Sequence, residues 1–363
     1  MLKVVSLFSG IGAFEKALKD AEVEYEVVNF CEVDKFASVS YNAIHGEPLE
    51  KNLGDVTKVE EDKLPDYDML TWGSPCQDFS VAGVGAGSVW ECQLCNHKYN
   101  PLTVHYTKRG ECPECGWGEI DKTRSSLLVE GLRILRAKKP RFSIYENVKN
   151  MIGKANKATF DMFIKELEEY GYNNYWKVLN AKDYGIPQNR ERVFVVSILK
   201  EDDTGTFIWP EPFDNGLRLK DFLEDEVDEK YYINQEKTEK LLQSLSSQWQ
   251  GVKVAVPCLT PDRTEKRQNG RRFKDDGDPM FTLTVQDRHG VLTGIDTSQY
   301  RIRKLTPREY WRLMGFKDED FDKAEAVGIS NSQLYKQAAN SIVVGVLVGI
   351  IKGLPIDNYF IEE

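Results

Sequence analysis

Short apolar runs separated by amphipathic segments shape the first half of the chain. Residues 4–8 are mostly apolar, which predicts a buried strand, and the tight glycine turn Ser9-Gly10-Ile11-Gly12 follows directly. Phe14 and Leu18 are four residues apart, which predicts a helix over Ala13–Asp20. A strand, a glycine turn and a helix are the usual beginning of a doubly wound nucleotide-binding fold.

The same alternation continues to about residue 198. Strand-like runs occupy residues 25–30, 67–72, 142–148 and 193–198, and helical spacing appears in residues 127–135 and 160–170. Strands that alternate with helices predict a parallel sheet with helices on its faces. The expected fold class is therefore α/β, with a Rossmann-like doubly wound sheet.

The pattern changes after residue 198. Residues 200–300 are rich in charge, Gly, Pro and Thr, which predicts a second, smaller domain. A helix is expected near residues 307–314, and a long apolar helix is expected near 334–352. We therefore expect a first domain at residues 1–198, a smaller domain at 199–332, and a C-terminal segment at 333–363 that returns to the first domain.

The amino-acid composition indicates only the broad class of the protein. The chain has 363 residues, of which 41% are hydrophobic and 29% charged, as in ordinary globular proteins. The apolar run at residues 342–351 is shorter than a membrane span, and the chain begins as a strand without a secretory signal. A cytoplasmic location, without a membrane partner, is the expectation that follows.

Charge argues in two directions about a nucleic-acid partner. The net charge of −10 counts mildly against one. However, six Lys and Arg residues fall within residues 263–274, together with the single acid Glu265. Such a run forms a local surface for phosphates or, more commonly, a solvated loop.

Four of the seven cysteines form a regular set. Their spacing, Cys92-x2-Cys95-x16-Cys112-x2-Cys115, is typical of a zinc ribbon. Four thiolates close a tetrahedral site, so the metal is expected to be structural, and His97 and His105 are surplus. Four unrelated free thiols are the alternative. We refer to residues 90–118 as the cysteine module.

Polar side chains of the types used in catalysis lie at or beside the ends of three apolar runs. Cys76 comes directly after Pro75, on a stiff turn that suits a nucleophile, although a buried structural thiol is the alternative. Glu146 stands near the end of a predicted strand. Arg190 and Arg192 stand just before another one, in Gln188-Asn189-Arg190-Glu191-Arg192.

Taken with residues 8–12, these groups resemble the cytosine-C5 DNA methyltransferases of bacterial or phage type, over nearly the whole chain and in the family's motif order. The resemblance implies methylation of carbon 5 of a flipped cytosine, in a short specific DNA sequence, through a covalent cysteine adduct. Cys76 would attack carbon 6, and Glu146 would hydrogen-bond ring nitrogen 3 and the exocyclic amine. Arg190 and Arg192 would hold the base or its carbonyl and fix the catalytic loop.

The same resemblance implies that S-adenosylmethionine is the methyl donor. Glu32 would bind the ribose, and Asp55 with Val56 would contact the adenine. The family usually has glycine where Ala339 precedes Asn340. The remaining positions that match the cofactor pocket are Phe8, Gly10, Gly12, Pro75, Leu127, Asn340 and Ser341.

The resemblance also gives roles to the other parts of the chain. The smaller domain would recognise the target in the major groove of double-stranded DNA, with residues 263–274 and 286–289 as candidate contacts. The cysteine module would lie beside the DNA and contact phosphates or limit the motion of the loop after Cys76. A monomer is expected. The protein either belongs to a restriction–modification system, with a cognate endonuclease that does not bind it, or acts as a solitary phage or host enzyme. Two alternatives are an RNA cytosine-5 methyltransferase on this scaffold and a catalytically silent DNA-binding regulator.

Overall fold

A computed structural model describes residues 1–75, 89–122, 127–243, 255–265, 270–294 and 300–356. Two of the sequence predictions above fall on positions outside these ranges. These positions are Cys76, the predicted nucleophile, and residues 266–269 of the basic run.

Six strands form the central sheet. They are β1 (Leu2–Leu7), β2 (Tyr25–Cys31), β3 (Met69–Trp72), β7 (Phe142–Val148), β8 (Tyr172–Asn180) and β9 (Glu191–Leu199), and their order across the sheet is β2-β1-β3-β7-β9-β8. The first four run parallel to one another, whereas β9 is antiparallel to both β7 and β8.

The sheet is therefore mixed, and the expectation of a uniformly parallel sheet is wrong at this edge. Only residues 181–190 separate β8 from β9, and a connection this short joins antiparallel neighbours, because a parallel crossover needs a dozen or more residues. The strand β8 was not expected from the sequence, because it carries several Asn and Lys residues and is only partly buried.

Helices cover both faces of the sheet. Helix α1 (Ala13–Asp20) shares one apolar cluster with the C-terminal helix α9 (Val344–Lys352), and helices α3 (Leu127–Lys138) and α4 (Lys157–Glu169) share a second cluster. Both clusters contain residues of β1, so they lie on opposite sides of that strand, as its alternating side chains require. The other helices are α2 (Lys35–His45), α5 (Gln235–Leu242), α6 (Pro307–Arg312), α7 (Asp318–Ala326) and α8 (Asn331–Asn340).

The long C-terminal helix expected at 334–352 is two helices, α8 and α9. The chain turns at Ser341, and the Val344 N–H donates to the Met314 carbonyl over 3.0 Å. Together α8 and α9 make one stretch, Asn331–Lys352, that is long and apolar enough to cross a membrane, but 67% of its most apolar window is buried inside the fold. Such burial is typical of a core segment.

Two small antiparallel sheets complete the described structure. One contains β10 (Val256–Cys258), β11 (Gly290–Gly294) and β12 (Tyr300–Lys304), which surround a separate apolar cluster. The other lies in and beside the cysteine module and contains β4 (Trp90–Cys92), β5 (Lys98–Tyr99) and β6 (Ile120–Lys122). Helices α6 and α7, which belong to the expected smaller domain, share the first apolar cluster with α1 and α9.

Candidate active site, cofactor pocket and zinc centre

The glycine turn after β1 lies against the end of β2. Phe8, Gly10 and Gly12 all have left-handed backbone angles, with φ of 56°, 58° and 78°. The Gly10 N–H donates to Glu32 Oε2 over 2.8 Å, and the Asp34 N–H donates to Glu32 Oε1 over 2.7 Å. Burial raises the pKa of Glu32, while these two N–H groups act in the opposite direction. The turn and the predicted ribose acid are thus one unit at the carboxyl ends of two parallel strands.

His45 and Tyr41 pack so closely against the turn that a side chain larger than that of glycine does not fit at position 12. A Cβ atom there would lie 2.1 Å from His45 Nε2 and 2.9 Å from the Tyr41 ring. His45 donates from Nε2 to the Ile11 carbonyl over 3.0 Å, and burial lowers the pKa of His45 to about 4. A Cβ on Gly10 would meet open space, so this side of the turn is free to approach a ligand.

Asn52 organises the loop between Glu32 and Asp55, two of the predicted cofactor contacts. Its role was not expected from the sequence. Its Oδ1 accepts from the Glu32 N–H at 3.0 Å and from the Gly54 N–H at 2.9 Å. Its Nδ2 donates to the Glu32 carbonyl and to Ser38 Oγ, both at 2.9 Å. No local signal marks this role, because Asn is common in loops and its partners are up to 20 residues away.

Two further cofactor candidates follow this loop. Asp55 accepts from the Thr57 N–H at 3.0 Å and from Thr57 Oγ1 at 2.8 Å, and both hydrogen bonds lower the pKa of Asp55. Val56 is buried in the apolar cluster that also contains residues of α3 and α4. Phe8 and Leu127 both pack, half-buried, against the apolar cluster of α3 and α4.

Helix α8 is held against α2, and its C-terminal end carries Asn340 and Ser341. Lys336 Nζ lies 2.5 Å from Asp34 Oδ2, and Gln337 Nε2 donates to the Phe36 carbonyl over 3.0 Å. These contacts hold α8 beside the residues that follow Glu32. Asn340 is exposed at the end of the helix, and Ser341 is buried.

Glu146 and Arg192 form an ion pair across neighbouring strands. Val148 of β7 lies opposite Arg192 of β9, and Arg192 Nε is 2.9 Å from Glu146 Oε1. Burial raises the pKa of Glu146, although the nearby Arg192 and Arg190 guanidinium groups lower it. The carboxyl group is therefore easier to protonate than an exposed glutamate, which suits a hydrogen bond to a ring nitrogen.

The end of β3 is fixed beside this ion pair. Asn147 Nδ2 donates to the Ser74 carbonyl at 3.1 Å and to Tyr145 Oη at 2.7 Å, and Ser74 Oγ lies 2.9 Å from the same Tyr145 oxygen. A Cβ atom on Gly73 would lie 3.3 Å from Glu146 Oε2. Pro75, the next described residue, is half-buried and directly precedes Cys76 in the chain.

The two predicted catalytic arginines occupy different environments. Arg190 is only 4% exposed, and its guanidinium donates to the carbonyls of Leu283, Ala339 and Ser341 at 2.8–3.0 Å. These hydrogen bonds join the start of β9 to the end of α8 and to residue 283. Arg190 is therefore positioned to hold backbone segments together, whereas Arg192 faces the buried carboxyl group.

Several of the described residues proposed as DNA contacts are buried inside the protein. His289 is fully buried, with Nε2 donating to the Thr282 carbonyl over 3.1 Å, and burial lowers the pKa of His289 to about 4. Asp287 is buried and lies 3.2 Å from Arg263. The Arg272 guanidinium binds four backbone carbonyls. His289, Asp287 and Arg272 are buried, so the expectation that these three side chains reach DNA is wrong.

The four module cysteines converge in two matching turns. Their sulfur atoms all lie within 4.8 Å of one another, with 3.5 Å between Cys92 and Cys115 and 3.7 Å between Cys95 and Cys112. A residue with left-handed φ follows each second cysteine, namely Asn96 at 58° and Gly116 at 74°. The N–H of each donates over 2.9 Å to the carbonyl of the first cysteine of its pair. Four converging thiols on such turns fit a tetrahedral metal ion.

Buried polar contacts attach the cysteine module to α4. Arg109 forms a paired hydrogen-bonded ion pair with Glu166, and both side chains are more than 90% buried. Asn100 Nδ2 donates to Thr159 Oγ1 over 2.8 Å. Trp90 packs in the apolar cluster of α3 and α4. One side of the module is thus packed against α4 and the apolar cluster of α3 and α4.

Comparison with known proteins agrees with this geometry. The family model described as C-5 cytosine-specific DNA methylase matches residues 2–94 and 117–355, so its gap falls within the cysteine module. The chain is 39% identical to the orphan methyltransferase M.SPBetaI of Bacillus phage SPbeta, with 100% of this chain and 99% of that protein covered. It is 34% identical to the type II methyltransferase M2.ScrFI of Lactococcus lactis subsp. cremoris, with 98% and 99% covered.

The M.SPBetaI alignment spans 440 positions, more than the 363 residues of this chain, so that relative carries segments that this chain lacks. Among solved structures, the S. pombe Dnmt2 methyltransferase has a TM-score of 0.65 at 20% identity and covers 97% of this chain and 98% of its own. This similarity shows the shared fold.

Proposed function

Because this chain belongs to the C-5 cytosine-specific DNA methylase family, we propose that it methylates carbon 5 of a cytosine flipped out of double-stranded DNA, through a covalent adduct with Cys76. The observation that carries the proposal is the buried Glu146–Arg192 pair beside the end of β3. A pocket there would hold the base between Cys76, which follows Pro75 in the chain, and the Glu146 carboxyl group, whose pKa is raised by burial.

The proposed roles follow from these positions. The Cys76 thiolate forms a bond to carbon 6, while the ring nitrogen 3 is hydrogen-bonded by Glu146, so charge that builds up on the ring is stabilised. Arg192 holds the Glu146 side chain and faces the base. After transfer, the carbon-5 proton is lost to a base, the sulfur–carbon bond breaks, and Cys76 leaves as a thiolate. Arg190 acts as a positioning residue.

S-adenosylmethionine is the cofactor of this methyltransferase family, and it supplies an electrophilic methyl group. The residues between β1 and α2 suit such a molecule. Gly10 offers an open backbone, and Glu32 offers carboxylate oxygens for ribose hydroxyls. Asp55 and Val56 are proposed to contact the adenine, and Phe8, Pro75 and Leu127 to line the same pocket. Gly12 shapes the turn, and Asn340 and Ser341 are proposed to close the methionine end.

Bisulfite sequencing tests the reaction and the nucleophile together. The protein and its Cys76→Ser variant are expressed in a bacterial host that lacks cytosine methylation, and the host DNA is sequenced after bisulfite treatment. We expect protected cytosines in one short motif with the wild-type protein and none with the variant. Unprotected DNA from folded wild-type protein would contradict the proposal and direct attention to RNA.

We also propose that the four module cysteines bind one structural zinc ion. The convergence of four sulfur atoms on two similar turns supports this, and four thiolates leave no open position for catalysis. Since the module is attached to α4, the metal would anchor the chain that follows Cys76. Metal analysis of purified protein is expected to give one zinc per chain. Cys112→Ser should lose it and melt at a lower temperature, whereas zinc-free wild-type protein of equal stability would refute the site.

The remaining proposals concern the domain organisation, the oligomeric state, the cellular location and a restriction endonuclease. We propose three parts, at residues 1–198, 199–332 and 333–363, and a monomer that acts on DNA in the cytoplasm. The relatives include phage proteins named orphan methyltransferases and bacterial proteins named type II methyltransferases. A cognate restriction endonuclease therefore stays a prediction, which sequencing of the neighbouring genes tests.

A further inference from the structure

A basic cavity of about 330 Å³ lies beside the N-terminal end of α8. The residues that line it are Lys230, Tyr231, Arg288, Lys304, Asn331, Ser332 and Tyr335. It combines three cations with several hydroxyl and amide groups. None of these residues belongs to the cofactor pocket or to the Glu146–Arg192 pair.

Two of the three cationic side chains, those of Arg288 and Lys304, are available to bind an anion. Arg288 lies over the Tyr335 ring at 4.3 Å from the centroid, and its Nη1 donates to the Val285 carbonyl over 2.8 Å. Within the described part of the chain, neither Arg288 nor Lys304 pairs with a carboxylate. Lys230 contributes less, since its Nζ lies 3.1 Å from Asp228. The cavity therefore favours an anion.

The adjoining helix end adds to this preference. Asn331 and Ser332 are the first two residues of α8, and the Ser330 side chain does not cap the helix. The Asn331 amide instead donates to Tyr231 Oη over 3.2 Å. Uncapped N–H groups and the positive end of the helix dipole both attract negative charge.

The fold also connects this cavity to the backbone groups that Arg190 binds. Helix α8 has ten residues, so Asn331 lies about 15 Å from Ser341, which binds Arg190. A second path gives a similar limit. Leu283 also binds Arg190, and five residues lead from Leu283 to Arg288, a span of at most about 17 Å. Both paths place the cavity within about 18 Å of the backbone groups that Arg190 binds.

We propose that this cavity binds a backbone phosphate of the DNA. The inference rests on the proposed function, since it requires DNA at the reaction centre. A phosphate contact fixes the register of the duplex and carries no sequence information by itself. The cavity would therefore position the DNA, while other residues recognise the target.

The test measures how salt affects binding of a 20-base-pair duplex by wild type, Lys304→Ala and Arg288→Ala. Loss of one phosphate contact should reduce the slope of log affinity against log salt by about 0.9. Affinity should fall by the same factor for duplexes with and without the target motif. Lys165→Ala is the matched control, because Lys165 is a largely exposed lysine on α4, outside the cavity. Melting temperatures establish that each variant is folded.

Three outcomes would overturn the inference, and they are distinguishable. If wild type binds DNA and both cavity variants keep its salt slope, the cavity does not bind phosphate. If affinity falls only for duplexes that contain the motif, the cavity recognises sequence instead. If the wild-type protein itself binds no duplex, the proposed function fails as well. The two variants lie on different elements, so instability of one leaves the other to decide.

Discussion

Replacing Asn52 with alanine is expected to weaken S-adenosylmethionine binding without slowing methyl transfer. The amide makes four hydrogen bonds of 2.9–3.0 Å, two of them to the backbone of Glu32. A hydrogen bond contributes about 1 kcal/mol net. Because Asn52 is only half-buried, water would replace part of the loss, and we expect roughly 2–3 kcal/mol in all. If about half of this loosens Glu32, cofactor affinity falls about tenfold.

Steady-state kinetics with labelled cofactor measures this effect. The KM for S-adenosylmethionine should rise about tenfold, while kcat and the KM for DNA stay within about twofold of the wild-type values. Asn42→Ala is the matched control, because the Asn42 amide donates to the Glu47 carbonyl over 2.6 Å, away from the Glu32 loop. It should leave all three constants unchanged.

The reasoning about Asn52 has a clear point of failure. If Asn52→Ala lowers the melting temperature while the KM for the cofactor is unchanged, then Asn52 stabilises the fold and does not position Glu32.

Three further changes test other parts of the site. Gly12→Ala should destabilise the protein by about 1–3 kcal/mol more than Gly10→Ala in denaturant unfolding, because only the first would clash with His45. Glu146→Gln should lower kcat by about 10²-fold or more, with DNA affinity kept within a few-fold, as single-turnover and binding assays would show. Since burial lowers the pKa of His45 from 6.5 to about 4, the unfolded state binds its proton first, and stability should fall as pH drops from about 6.5 to 4. His45→Gln should flatten this part of the stability curve, and an unchanged curve would count against a neutral His45.

Local periodicity predicted several elements well. The helix over Ala13–Asp20 and the strand over Phe142–Val148 have the expected bounds. Each has a regular apolar pattern flanked by residues that end the element, so the neighbouring sequence contains the needed information. The spacing of the four cysteines likewise predicted a cluster that the structure brings together.

The missed features depend on contacts between distant residues. Strand β8 is polar, and its place beside β9 arises from the short connection between them. Arg190 and Arg192 are two residues apart, so both were expected to face the base. Arg190 lies just before β9 and donates to three backbone carbonyls, whereas Arg192 lies within β9 and pairs with Glu146. The basic run at 263–274 also shows that composition does not distinguish an internal arginine such as Arg272 from a surface one.

Covalent trapping tests the central claim most directly. A duplex is made with 5-fluorocytosine at the methylated position found by bisulfite sequencing. Fluorine cannot leave as a cation in place of the carbon-5 proton, so an adduct that has received the methyl group cannot release the enzyme. We predict a protein–DNA complex that survives denaturation, requires S-adenosylmethionine, and is absent with Cys76→Ser. Failure of the wild-type protein to form this complex, or its formation by Cys76→Ser, would contradict the account.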